Sequence, residues 1–224
     1  MVNKTQQPTF SKKIIFQVMT DTVTTKRKLL IFLALKRVKP GSGSSINFLN
    51  QRTWKHPVTN LNNILQQTPF VVVGGIATRL YMPERMTDDL DILILASDAT
   101  TAKQELEQVG SRQTGTLSIG GSIWELPDGT SLDVIESNEA WVKKALQNSN
   151  LGGDKLPIIA LPYLVLMKLQ ASRVQDIADV SRMLGGASEE TLAQVREVIN
   201  TYLPEAGEDL ESLIILGKLE RGDF

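Results

Sequence analysis

The sequence contains no cysteine and a single histidine, His56. Disulfides, thiolate zinc sites, iron–sulfur clusters and a cysteine nucleophile are therefore excluded, and so is a multi-histidine metal site within one chain. Long apolar runs are also missing. The best, Leu29 to Leu35, is seven residues long, far short of the roughly 18 needed to span a bilayer. Lys and Arg flank it on both sides and no small-residue cleavage site follows, so it does not read as a signal peptide. A cytoplasmic protein is expected. Aromatic residues make up only 5% of the chain. Any chemistry must rest on carboxylates, hydroxyls, Lys, Arg or the lone His.

What is present is ordinary soluble material of 224 residues, 42% hydrophobic and 22% charged. That length is enough for a real core. The charge is unevenly placed. Residues 1–56 hold 11 Lys and Arg against one acid, Asp21, so this segment is +10. The remainder holds 13 basic and 24 acidic residues and is −11. A basic arm on an acidic body points to nucleic acid, a membrane surface or a contact with the chain itself as the arm's partner. With its Pro-Gly-Ser-Gly-Ser-Ser stretch at 40–45, the segment 1–56 reads as a poorly ordered extension, although Ile14 to Leu35 has some helical character. Residues 57–160 read as a core domain and residues 161–224 as a helical C-terminal region.

Within the core, Phe70 to Val73 reads as a buried strand closed by Gly74-Gly75, with a helix over Ile76 to Tyr81. Asp89 to Leu95 alternates and then turns continuously apolar, as in a core strand with one polar end. Thr100 to Val109 reads as an exposed helix. Strands are expected over Arg112 to Gly121, Ser122 to Leu126 and Ser131 to Ile135. A helix over Asn138 to Gln147 and a short strand over Leu156 to Ala160 follow. Helices are expected at Tyr163 to Ala171, Val174 to Leu184, after the N-cap Ser188 to about Leu203, and over Asp209 to Leu219. The fold class is α/β (α+β), a mixed twisted sheet with flanking helices.

The informative stretch is Phe70 to Leu95. A glycine pair at a strand-to-helix turn lets a phosphate approach backbone N–H groups without a Cβ in the way. Asp89 and Asp91 lie two apart on a strand, so both side chains face one side. Two carboxylates there form a hard-oxygen pair suited to Mg²⁺, with Mn²⁺ as a substitute. Asp133, in the later strand Ser131 to Ile135, is a third candidate. Three carboxylates beside a glycine turn suit metal-assisted phosphoryl transfer. Simpler readings stand beside these. Asp133 would also serve as a turn-side acid, Lys168 as a surface helix residue and Arg85 as an ion-pair partner for its loop. Arg173, Asp176 and Asp179 sit at i, i+3, i+6 and favour a structural salt-bridge cluster. Asp88 reads as exposed filler, Trp124 and Trp141 as packing anchors, and His56 has no assigned role.

The order Gly74-Gly75, 13 residues, Asp89-Leu90-Asp91 and a distant Asp133 resembles the nucleotidyltransferase (polymerase-β-like) superfamily. The pattern Arg85-x-Thr87-x-Asp89-x-Asp91 is similar to small prokaryotic nucleotidyltransferases of the AbiEii/AbiGii toxin-like type. So is Lys168 followed by Arg173-x-x-Asp176-x-x-Asp179. The resemblance spans about Phe70 to Leu184, omits the basic arm, and departs at Gly75, where the superfamily often has Ser. It implies Mg²⁺-dependent transfer of a nucleoside monophosphate from an NTP, such as ATP, to a hydroxyl on protein or RNA. Asp89 and Asp91 would hold metal, and Asp133 would complete the second metal position or help deprotonate the attacking hydroxyl. Gly74 and Gly75 would cradle phosphates and Lys168 would supply positive charge beside them. Arg85 and Thr87 would hold the loop or bind phosphate or acceptor. A toxin–antitoxin setting with an antitoxin partner is implied as well. The alternative is an inactive nucleotide- or partner-binding module with an RNA-contacting arm.

Overall fold

The structure, a computed structural model, describes residues 12–55, 58–87 and 89–222, with the backbone alone for residues 12–21. His56 and Asp88 lie outside the described residues, and so does the side chain of Asp21.

Seven strands form one mixed sheet. They are β1 (Val71–Val72), β2 (Asp89–Leu95), β3 (Arg112–Thr116), β4 (Gly121–Glu125), β5 (Ser131–Ser137), β6 (Asn150–Leu151) and β7 (Pro157–Ile158). Their spatial order is β3-β4-β5-β2-β1-β7-β6. The central pair, β2 and β5, runs parallel, and β1 lies antiparallel on the other side of β2. The continuously apolar half of β2 explains its central place. Ile92, Leu93 and Ile94 are fully buried, and a strand covered on both faces has no solvent side to alternate toward.

Helices flank the sheet. After α1 (Lys12–Arg37) and α2 (Ile46–Leu49) come α3 (Gly74–Ala77), α4 (Ala99–Gln108) and α5 (Val142–Gln147). The C-terminal portion is helical: α6 (Leu161–Ala171), α7 (Val174–Gly185), α8 (Glu189–Tyr202) and α9 (Gly207–Arg221). Pro162 sits in the first turn of α6, and the Ser188 hydroxyl accepts from the Thr191 N–H at the start of α8. Both follow from the missing intrahelical partners of a first turn. Trp124 and Trp141 are buried packing residues, and Trp141 stacks on Tyr163 at 6.1 Å.

The described part of the basic segment carries a helix that meets the C-terminal helices. Residues 12–37 are helical, and α1 docks on the C-terminal helices through Ile31 and Arg27. Arg27 is 2% exposed. Its Nε donates to Asp209 of α9 at 2.6 Å and its Nη1 to the Leu169 carbonyl of α6 at 3.1 Å. Lys28 adds an exposed pair with Glu208. Farther along, the indole of Trp54 donates to Asp154 and packs against Gly152 and Gly153. Thus the basic arm finds part of its counter-charge within the chain's own acidic body.

Candidate active site

The carboxylates meet at the polar end of the central strand pair. Asp91 of β2 stands in register with Asp133 of β5, and Asp89 with Ser131. Register partners on neighbouring strands are about 4.8 Å apart and present side chains to the same face. Asp89 shares that face by the two-residue repeat. The three sequence-predicted carboxylates therefore come together, and none points into the core: Asp89 is exposed, Asp91 and Asp133 half-buried.

Their electrostatics record the crowding. Burial pushes the Asp91 carboxyl up to about 6, and the charges of Asp133 and Asp89 push it the same way. Burial also raises Asp133, with Asp89 adding to it. The N–H of Gly75 and the charge of Arg173 pull Asp91 back down.

The glycine pair has a steric reason of its own. Val73 donates its N–H to the Asp91 carbonyl at 2.9 Å, so the turn that follows lies directly on Asp91. Gly74 adopts φ +63°, and a Cβ there would stand 1.9 Å from Asp91 Oδ2. A Cβ on Gly75 would stand 2.7 Å from the Thr87 hydroxyl. Only glycine fits the first position, in both conformation and space. The helix begins at Gly74, two residues earlier than its apolar pattern suggests, because the glycines form its first turn.

Arg85 and Lys168 belong to a second cluster. Lys168 of α6 is 5% exposed. Its Nζ lies 3.1 Å from Asp176 and 2.8 Å from Asp179 of α7. Arg85 Nη2 reaches the same Asp179 oxygen at 3.0 Å. Arg173 donates to Asp176 through Nε at 2.7 Å and Nη2 at 3.3 Å. The backbone turn at Ser172 (φ 51°) folds α7 back toward α6 and makes these contacts possible. Lys168 is thus a buried residue and not a surface one, and two buried carboxylates take up its charge. The Asp176 carboxyl is held low because hydrogen bonds and charge from Arg173 and Lys168 outweigh its burial. Arg79, on the turn after α3, is also structural. It pairs with Glu84 at 3.1 Å and its guanidinium lies 5.2 Å over the Trp54 ring.

Among the described residues, no three acidic or His side chains form a ready-made cage for a metal ion. The donor chemistry still fits Mg²⁺. That ion is usually held by one or two carboxylates, with waters and substrate phosphates filling the rest of its shell. Mutual repulsion among Asp89, Asp91 and Asp133 is the charge stress that a divalent cation relieves.

No protein-family model matches the sequence, and none of the curated proteins does. Solved structures give a distant likeness. The crystal structure of ANT(2'')-Ia in complex with adenylyl-2''-tobramycin is 18% identical, with a TM-score of 0.39 over 68% of this chain and 88% of that one. The solution structure of the antibiotic-resistance factor ANT(2'')-Ia has the same identity and TM-score, over 68% and 83%. A Thermotoga maritima protein provisionally named a nucleotidyltransferase is 18% identical, with a TM-score of 0.37 over 57% and 89%. Scores this low leave the functional reading to the geometry of the site.

Proposed function

We propose that the protein is a Mg²⁺-dependent nucleotidyltransferase that moves a nucleoside monophosphate from an NTP to a hydroxyl of a protein or RNA. The observation that carries this reading is the register of Asp91 against Asp133, with Asp89 on the same face, beneath the Gly74-Gly75 turn.

A divalent ion held by Asp89 and Asp91 would supply positive charge to the triphosphate oxygens. The chain's own groups do the rest. Gly74 and Gly75 border the triphosphate with backbone and no side chain. Thr87 packs on Gly75 and fixes the approach of the loop that enters β2. Asp133 accepts the proton of the acceptor hydroxyl as its oxygen bonds to the α-phosphorus. The bond from that phosphorus to the bridging oxygen breaks, and pyrophosphate leaves with the electron pair. Burial, and then the charge of Asp89, raise the Asp133 carboxyl and so favour its protonated form. The resemblance of Arg85-x-Thr87-x-Asp89-x-Asp91 to toxin-like nucleotidyltransferases supports a toxin with an antitoxin partner.

Label transfer tests the reading. The protein is incubated with each α-labelled NTP, Mg²⁺, total RNA and cell extract, beside the Asp89→Ala/Asp91→Ala variant. A labelled RNA or protein band absent from the variant is expected. NTP binding with no labelled product under any condition would replace transfer with a nucleotide-binding module.

A further inference from the structure

α1 is docked by one side. Arg27 and Ile31 turn toward the C-terminal helices and are buried. At 3.6 residues per turn each residue advances about 100°, so Phe32, Leu29 and Leu33 lie about 140–240° around the helix from Arg27. That is the outward side, and there Leu29, Phe32 and Leu33 are 56%, 52% and 42% exposed. A helix already held by one face ordinarily presents polar residues on the other. A single exposed apolar residue needs no explanation, but these three are neighbours at i, i+3 and i+4 and form one stripe.

The charge beside the stripe has one sign. From Thr22 to Lys39 the sequence has six Lys and Arg and no acid. Arg27 is turned inward to Asp209, and Lys28 pairs with Glu208 at 3.5 Å. Among the described residues, Lys26, Lys36 and Arg37 form no ion pair, and all three are exposed. By the same step, Lys26 and Arg37 run along one border of the stripe, about 260–280° from Arg27, and Lys28 along the other at about 100°. Lys36 lies within the stripe. Its Nζ stands 4.4 Å from the centre of the Phe32 ring, so cation and apolar surface are presented together.

We infer that the outward face of α1 docks on an anionic lipid surface, with Leu29, Phe32 and Leu33 at the acyl boundary and Lys26, Lys36 and Arg37 among the headgroups. The inference is independent of the nucleotidyltransferase reading. A convex apolar stripe bordered by cations is the form of a helix that lies in the plane of a membrane interface. Among the described residues no helix is long and apolar enough to cross a membrane, so the contact is with the surface. Charge selects this occupant. Residues 1–56 are +10 and the remainder is −11, so an anionic surface attracts the arm and turns the body away. A second copy docked face to face would set Lys26, Lys36 and Arg37 against their own kind.

Vesicle co-sedimentation of the full chain tests it, with phosphatidylcholine vesicles beside mixed phosphatidylcholine–phosphatidylserine vesicles at low and high salt. The proteins are wild type, an apolar variant (Leu29→Ser/Phe32→Ser/Leu33→Ser) and a charge variant (Lys26→Gln/Lys36→Gln/Arg37→Gln). Thermal melting accompanies each. Every substituted position faces solvent, so melting close to wild type is expected; if the apolar variant unfolds, Phe32→Ser alone is read in its place. Wild type is expected to bind the mixed vesicles, to bind phosphatidylcholine at least about 10-fold more weakly, and to weaken as salt rises. The charge variant should lose about 100-fold on mixed vesicles, and the apolar variant about 10-fold or more. No binding of mixed vesicles overturns the inference, and so does equal binding of both vesicle types. Full binding by the apolar variant overturns it as well, because charge alone would then hold the arm. A wild-type dimer in analytical ultracentrifugation that the apolar variant lacks would give the face to a second copy. Total RNA bound in place of vesicles, and lost in the charge variant, would give it to nucleic acid. Either result overturns the lipid assignment.

Discussion

Two charged clusters stand side by side here and solve opposite problems. Asp89, Asp91 and Asp133 crowd like charges at one end of the central strand pair, and burial together with that crowding raises the Asp91 carboxyl to about 6. Lys168, Asp176, Asp179, Arg85 and Arg173 interleave opposite charges between two helices, and Asp176 is held low. The first cluster is only partly relieved, by Arg173 and the Gly75 N–H, and so is suited to a cation. The second is nearly self-sufficient and so gives shape. Acid-rich and base-rich sites in one protein are told apart by whether their charges are satisfied internally, not by how many there are.

The largest expected effect breaks the first cluster. Asp89→Asn or Asp91→Asn should bring label transfer down to background with the far-ultraviolet circular dichroism unchanged. The next breaks the second. Lys168→Met leaves two buried carboxylates short of a partner and should cost about 3 kcal/mol, at the lower end for a broken buried pair because Arg85 and Arg173 remain. Urea denaturation measures it. If Lys168→Met keeps its stability while losing turnover, the lysine acts on the substrate and the contrast between the clusters fails.

A smaller effect joins the two sites. Gly74→Ala places a methyl against the Asp91 carboxylate at a positive φ, and should cost about 1–3 kcal/mol in the same denaturation experiment. The smallest effect is the pH signature of Asp91. Its folded carboxyl is raised from 3.8 to about 6, so protonation favours the folded state. That contribution is full below about 3.8 and disappears as pH rises through about 6. Metal-free Asp91→Asn should therefore melt a few degrees above wild type at pH 8 and together with it near pH 4. Added Mg²⁺ should raise the melting temperature of wild type and leave that of the variant in place.

Local pattern made much of this legible. β2 spans the stretch its alternation marks, Asp89–Leu95, and Asp89, Asp91 and Asp133 share a face because a two-residue repeat and a parallel register demand it. Other features depend on contacts that no local window contains. Arg27 is buried by partners 142 and 182 residues away, so α1 reads as a free basic arm until the C-terminal helices are in place. Lys168 meets Asp176 and Asp179 only because the chain reverses at Ser172; on one continuous helix the eight- and eleven-residue spacings would leave them about 12 and about 16 Å away along the axis. The helix expected from Asn138 starts at Val142, and Asn150–Leu151 pair as a strand too short to leave a periodic signal. The glycine pair was legible as a place for backbone to approach something closely. That the nearest such group is Asp91 itself follows from the Val73–Asp91 hydrogen bond across β1 and β2.

The contact between Gly74 and Asp91 has a genetic consequence. The two positions compete for one volume, so a side chain gained at 74 is most simply accommodated by one lost at 91. Suppressors of Gly74→Ala selected for folding alone should fall at position 91 and carry Gly, Ala or Ser there. Every such suppressor would have discarded a carboxylate of the site. Folding and transfer would then revert by separate routes, and a lineage that once passed through the double change could regain transfer only by reversing both steps.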